Sequence, residues 1–477
     1  MNKIFISGIT ASCLLISTVN AKTIDEKLIQ LESIIKAQQK QIDQLKNIIE
    51  LKASDDDLEE LDERLEIAET KTLTDKIQLG LGMRVEMNNY SNTYANDEKF
   101  DANEIYRTKL NINMKSKITD KMKFTGRLSM YKNWGDSTSR NVNYDSMQGR
   151  KPDNSTTYIE RAYIDWILND KNAKIPFILT LGRQPSSDGP SYQIKEDMRR
   201  KGTYDALATD GAADGFVLTS NLNNLLDGVS FRIAYGTPNV FDNQQNTSTQ
   251  FNYTGTPNAN KTIVIGYFLE KEFSNLNCQN LSQLYYIDAN DMNGNPQLLD
   301  DKTLGDMDLF GAMFEASNIK KRVDIFAHYA YNRIKPNGST VDLSSIGGSS
   351  TAGLLTNTIN DTSTKDGYAY WLGIRYGINK DYKIGTEYNH GSQYWFSFTS
   401  GANDPLNKLA TRGDAFEVYL TKEVNKYANL RLGYVDINYD YTNSGIHMGK
   451  PEKITDALGT TALKTTQNLY LNFNLLF

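Results

Sequence analysis

From residue 77 to its last residue the chain alternates apolar and polar positions with a period of two. Ile77, Leu79, Leu81, Met83, Val85 and Met87 are separated by Gln78, Gly80, Gly82, Arg84 and Glu86. Leu110, Ile112 and Met114 alternate with Lys109, Asn111, Asn113 and Lys115. Met122, Phe124, Leu128 and Met130 alternate with Lys123, Thr125, Arg127 and Ser129. Such a strand covers a soluble core or stands in a transmembrane barrel with lipid outside and water inside. The segments run roughly 10–13 residues, against about 5–6 in soluble sheets. Their polar faces are charged throughout, and short turns alternate with long polar loops. These features favour the barrel.

Strands are expected near 77–88, 105–118, 122–132, 157–168, 176–184, 214–221, 228–237, 262–272, 305–317, 321–333, 368–379, 382–392, 412–424, 428–440 and 466–477. Short turns fall at Thr119-Asp120-Lys121, Asn318 to Lys320 and Asn379-Lys380-Asp381. Fifteen strands would leave the two barrel ends on opposite sides, whereas bacterial barrels hold an even number. The turn pattern breaks between 272 and 305, where Gln283-Leu284-Tyr285-Tyr286-Ile287 supplies the missing strand. The expected fold is therefore all-β: a 16-stranded antiparallel transmembrane β-barrel over 77–477, with 14 and 18 strands as alternatives. Tyr368, Tyr370 and Tyr376 share the outward face with Leu372 and Ile374, and Tyr329 and Tyr331 close the outward row of Val323, Ile325 and Ala327. Tyrosines at strand ends suit the aromatic girdles of a membrane barrel.

Before residue 77 the period is helical. Ile24, Leu28, Leu31, Ile35, Gln38, Ile42, Leu45 and Ile49 step alternately by four and three, a heptad seam. A second seam, Leu58, Leu61, Leu65 and Ala68, is out of phase, and Ser54-Asp55-Asp56-Asp57 between them has the character of a helix N-cap. A coiled coil over 22–72 predicts a homo-oligomer; a single amphipathic helix on a globular body is the alternative. Met1 to Ala21 reads as a signal peptide, with Lys3 as basic region and Val19-Asn20-Ala21 as cleavage site. Cys13 offers a lipoprotein alternative, which the poor Thr10 before it disfavours.

Charge and composition refine this. Residues 22–76 hold 15 acidic and 9 basic side chains, which equals the whole chain's net −6. The strand region is nearly neutral, and no nucleic-acid partner is expected. A mean hydropathy of −0.53 suggests a soluble protein, yet in a barrel only alternate residues meet lipid. Two cysteines exclude a disulfide framework, and three histidines argue against a zinc centre. No cofactor and no resident metal are expected. Asp288, Asn290, Asp291, Asn293 and Asn295 offer oxygen ligands, but their spacing departs from a calcium loop and Asn293-Gly294 is first a turn signal.

A sixteen-stranded barrel is too wide for wall side chains to fill. The third loop on the long-loop side, near 185–213, is the candidate constriction. It carries Asp188, Glu196, Asp197, Asp205 and Asp210 beside Lys195, Arg199, Arg200 and Lys201. Parity turns Arg84, Arg107, Lys109, Lys115, Lys117, Lys123, Arg127, Arg161, Arg232, Arg375, Lys383 and Arg431 inward, and Arg183 is counted with this basic wall. Glu86, Asp165, Asp324, Glu387 and Glu417 are the inward acids. A cationic wall facing a mixed loop predicts a mild anion preference; full pairing of these charges would abolish it.

The final strand, Leu469 to Phe477 with Asn468, Tyr470, Asn472 and Asn474 between, resembles that of Gram-negative outer-membrane barrels, in which the terminal aromatic is read by the barrel assembly machinery. With the alternating strands and charged third loop, the chain resembles the general trimeric porins. The run Leu181-Gly182-Arg183-Gln184-Pro185 continuing to Gly215 is similar to an uncharacterised porin-like family with a coiled coil before the barrel. The resemblance implies a homotrimer in outer-membrane lipid, its coiled coil in the periplasm, passing small hydrophilic solutes and ions without catalysis. A solute-specific channel is the alternative, and a non-conducting adhesin or structural barrel a third. Asn389-His390-Gly391-Ser392 resembles the His-x-Ser pair of outer-membrane phospholipases, but the polar residues expected after that serine are missing.

Overall fold

The computed structural model describes residues 24–49, 77–134, 155–170, 173–185, 189–198, 200, 202–238, 262–275, 278–293, 302–342, 351–399 and 404–476. The proposed signal peptide, the second seam at 58–68, the N-cap at 54–57, Asp188, Arg199, Lys201 and Phe477 lie outside these residues. The chain divides into two compact units, Met1–Asp75 and Lys76–Phe477. In the first, helix α1 spans Ile24–Ile49 and confirms the helical period. Its seam residues Ile35 and Ile42 are exposed.

The second unit is a closed barrel of sixteen antiparallel strands. They are β1 (Ile77–Tyr94), β2 (Lys99–Lys117), β3 (Met122–Asn133), β4 (Ser155–Ile167), β5 (Phe177–Pro185), β6 (Ala212–Asn221), β7 (Val229–Pro238) and β8 (Ile263–Asn275). After these come β9 (Cys278–Asn293), β10 (Thr303–Ile319) and β11 (Val323–Pro336). A small separate hairpin, β12 (Val341–Asp342) with β13 (Thr351–Ala352), lies in the following loop. The barrel continues with β14 (Lys365–Gly377), β15 (Tyr382–Gly391), β16 (Gly413–Asn425), β17 (Ala428–Tyr439) and β18 (Leu463–Leu476). β1 pairs with β18 and closes the ring. Each expected strand is present, β9 included, so the even count holds at sixteen. Asp288, Asn290, Asp291 and Asn293, weighed for calcium, belong to β9 rather than to a loop, and Asn295 lies outside the described residues.

The outward face is apolar around the ring. Leu284, Phe310, Leu372, Ile374, Phe416, Leu432 and Leu469 are all exposed there. A continuous belt of this kind suits hydrocarbon, since a closed barrel also leaves no unpaired strand edge. The inner face is not uniform. Along β17, β18 and β1 to β8 it is largely polar. From β9 to β14 the inward residues Tyr285, Ile287, Ala289, Met307, Leu309, Phe326, Ala330 and Trp371 are buried in one apolar cluster, while Gln283, Glu315, Asp324 and His328 are inward polar groups of the same strands. Where they line the cluster these strands are apolar on both faces, the pattern of strands covered on both sides. Inward aromatic rings also lie over glycines of the neighbouring strand. Added Cβ atoms at Gly311, Gly373, Gly385 and Gly433 would meet Tyr285, Phe326, Tyr419 and Tyr470 respectively, within 2.0–2.3 Å. The small residues give the rings room and let the wall curve.

Candidate functional site

Two loops from the long-loop end fold into the lumen. The loop between β5 and β6, L3, turns inward at Gly189, where a Cβ would stand 2.0 Å from the Tyr204 carbonyl oxygen; no other residue fits. A short helix, α2 (Tyr192–Glu196), follows. Its C-terminal carbonyls, which have no partner within the helix, are taken by three wall side chains. Arg375 donates to Ile194 O, Arg431 to Lys195 O at 3.0 Å and Asn429 to Glu196 O at 3.1 Å. Wall cations at a helix C-terminus are also the favourable sign for its dipole.

Ion pairs hold L3 in this seat. Glu196 contacts Arg84, and Arg431 at 3.8 Å. Asp197 bonds Arg375 at 2.8 Å and Lys383 at 2.7 Å. Lys195 reaches Glu417 at 3.1 Å. Arg200 reaches Glu272 at 2.6 Å. Farther along L3, Asp205 is fully buried against His328, whose Nε2 lies 2.8 Å from Ser191 Oγ. Ser191 also bonds Glu315 at 3.0 Å. This Ser–His–Asp chain has the contacts of a catalytic triad, but Ser191, His328 and Asp205 are at most 1% exposed. Its role is to pin the loop to β10 and β11.

The second inserted loop, between β15 and β16 (L7), was not foreseen. Trp395, Phe396 and Phe398 enter the apolar cluster with Ala206, Leu207 and Ala208 of L3. The two loops pair through Phe398 N–H to Ala208 O at 3.0 Å and Asp210 N–H to Phe398 O at 2.8 Å. Lys408 of L7 is 1% exposed and contacts both Glu387 and Glu417, which face each other on β15 and β16. Burial alone would lower its ammonium, but the two glutamates reverse this and hold it above its ordinary range. Arg412, at the L7 exit, has no such carboxylate. It donates to Trp395 O, Asn443 O and Ile446 O, and burial pushes it down to about 9.

The lumen is thus not simply water-filled, as expected from its width. Its β9–β14 side is packed with apolar side chains. Below L3, toward the short-turn end, a cavity of about 850 Å³ remains, lined by Asp197, Arg200, Glu315, Asp324, Arg375 and Lys383 among others.

Of the expected basic wall, Arg84, Arg107, Lys109, Arg127, Arg161, Arg232, Arg375 and Arg431 do face inward. Arg183 does not. It stands opposite Asp214, 3.8 Å away, in register with the exposed outward residues Leu181 and Phe216. The inward residues are instead Gln184 and Val217. Each of these eight cations has a carboxylate within 4 Å. Arg107 pairs with Glu86, Arg232 with Glu270 at 3.0 Å and Arg375 with Asp324 at 2.8 Å. Lys109, Arg127 and Arg161 converge on one carboxylate, Glu160, at 3.3, 2.8 and 3.5 Å. Glu160 was not singled out from the sequence. It is inward because the register shifts between Arg127 and Leu128, a bulge that turns Glu160 and Arg161 to the same side.

The model of a family described as "Protein of unknown function (DUF3373)" matches residues 99–477. The chain belongs to this family. The DUF3373 match begins in β2 and does not reach α1, so it bears on the barrel alone. Among curated proteins no significant match is found. Solved structures similar to this DUF3373 chain include Salmonella typhi OmpF in complex with daunomycin, at 15% identity and TM-score 0.46, covering 84% of this chain and 99% of that one. Another is a high-pH structure of Pseudomonas putida OprB, at 12% identity and TM-score 0.47, covering 86% and 96%.

The phospholipase-like pair is also placed. Ser392 Oγ accepts the Tyr368 N–H at 2.8 Å, while His390 Nδ1 lies 2.9 Å from Asp414. Both side chains are thus engaged with groups other than each other.

Proposed function

We propose that the chain is an outer-membrane porin that lets small hydrophilic solutes and ions diffuse passively through its barrel, without catalysis. The observation that carries this reading is the division of the wall: a continuous apolar belt outside, and inward charges on β1 to β4, β7, β8 and β14 to β17 around an inserted, ion-paired L3. Water and ions match such an inner face. Selectivity is proposed to be mild and anionic. It rests on two places among the described residues where lumen cations outnumber the carboxylates they share: Lys109, Arg127 and Arg161 around Glu160, and Arg84, Arg107 and Arg431 around Glu86 and Glu196. Elsewhere pairing with carboxylates lowers the net field, so a strong preference is not expected.

The first residues would direct export, Phe477 would present the assembly signal, and the α1 seam would associate with two further copies in the periplasm as a homotrimer. An exposed heptad seam supports that association. A solute-specific channel is the second reading. The apolar filling of the β9–β14 side by L3 and L7 favours it, because a narrowed path discriminates by size. Liposome swelling with sugars of increasing mass separates the two. A graded decline supports a general porin, one sugar or anion admitted far faster than its size predicts supports a specific channel, and no swelling with any solute contradicts both.

A further inference from the structure

On the outward face, just beyond the aromatic rows at the long-loop end, three side chains converge that the permeation path does not use. His390 of β15 stands directly opposite Asp414 of β16, and Asp440 follows the end of β17 on the same face. One ligand atom from each, an imidazole nitrogen and two carboxylate oxygens, lies within 4.8 Å of the others. In a four-coordinate site with bonds of ~2.0–2.2 Å two ligand atoms stand about 3.4 Å apart, so the three side chains need only close in by about an ångström.

The surroundings are built to orient these groups. Tyr370 stacks on the His390 ring at 5.4 Å between centroids, and Tyr368 lies at 5.9 Å. Tyr388 donates its hydroxyl to Asp414 at 2.6 Å. Metal-ligating carboxylates are commonly fixed by such outer hydrogen bonds. Asp440, by contrast, is exposed, and its carboxylate has no hydrogen-bond partner among the described residues. Two carboxylates facing one imidazole leave an excess of negative charge. The chain has three histidines, and the other two, His328 and His447, are 1% and 2% exposed. His390 is therefore the one imidazole open to an incoming ion.

We propose that His390, Asp414 and Asp440 form a binding site for a borderline divalent transition ion of the zinc type at the outer rim of the barrel wall. The mixed nitrogen and oxygen donors select such ions over calcium or magnesium, which take oxygen ligands. Three protein ligands leave a fourth position for water, as in sites where the ion stays exchangeable.

The test uses the full-length protein, purified in detergent without a histidine tag, and zinc titrated by calorimetry. The expected result is one saturable site per chain. His390→Ala should weaken it at least tenfold. Asp440→Asn, at an exposed position, should weaken it by a similar factor, with the sheet circular dichroism of both variants unchanged. Cys278→Ser should leave it intact, and millimolar calcium should not displace the zinc. Equal affinity in the His390 variant, loss of binding in the Cys278 variant, competition by calcium, or absence of binding to the native protein would each overturn the assignment.

Discussion

Replacing Lys408 by methionine tests whether L7 is held in the lumen by charge. The side chain is 1% exposed and lies between Glu387 and Glu417. Together with Lys195 it balances two carboxylates with two ammonium groups. In Lys408→Met, Glu417 keeps Lys195 and the Tyr470 hydroxyl at 2.6 Å, whereas Glu387 keeps only the Trp371 indole N–H at 3.2 Å. Stranding one buried charge costs about 3–5 kcal/mol. Because half of the pair remains compensated, the low end applies, and about 3 kcal/mol corresponds to roughly a 10²-fold change in an equilibrium. Exchange of the Phe398 and Asp210 amides, which join L7 to L3, should accelerate by that factor in hydrogen-exchange mass spectrometry. Strands β6 and β7 should be unchanged. Adding Glu387→Gln removes the stranded charge and should restore most of the protection. Unchanged L7 exchange in the single variant, or no recovery in the double variant, would refute the electrostatic account.

Three further outcomes follow from the same geometry. Glu160→Gln removes the carboxylate shared by Lys109, Arg127 and Arg161 and should shift the reversal potential in a salt gradient toward anions; a shift toward cations would contradict the placement of this cluster. Gly189→Ala places a Cβ against the Tyr204 carbonyl and should unseat L3, raising single-channel conductance and proteolysis of the loop while the barrel remains folded. Asp361, in the loop after β11, accepts hydrogen bonds from Ser363, Thr356 at 2.7 Å and Lys365 at 3.0 Å; the Ser363 hydroxyl and amide foremost hold its carboxyl below the ordinary range. Its contribution is therefore present above the ordinary carboxylate value of about 3.9 and fades as pH falls below it. Protection of this loop should persist to pH 4 in the native chain and be weakened at neutral pH in Asp361→Asn.

The barrel was legible because a strand with lipid on one side and water on the other writes its fold as strict alternation. Parity recovered β9 from a gap in the turn order and placed eight of the nine basic wall residues inward. Arg183 departs from the expected wall although parity holds, because Leu179 and Leu181 mark its side of β5 as the apolar outer face. The inserted L3 could be read from its length and mixed charge, and Arg84, Arg375, Lys383, Arg431 and Glu417, which anchor it, from parity; its other anchors could not. His328, Glu315 and Asn429 are single polar residues among many, as is Glu160 beneath its three cations, and only the closed ring brings each to its partners. L7 was hidden for a different reason. Trp395, Phe396 and Phe398 resemble rim aromatics in sequence, and Lys408 stands alone. The available signal lay elsewhere, in the unbroken apolar run Leu284 to Ile287, which shows a wall covered on its inner side as well.

The most direct test of the central claim is single-channel recording of the purified, folded protein in a planar bilayer. A porin narrowed by two loops predicts discrete, reproducible conductance steps with ohmic behaviour at low voltage, which increase when L7 is shortened. Folded protein that inserts into the bilayer yet passes no ionic current, in native form and with L7 shortened, would contradict it.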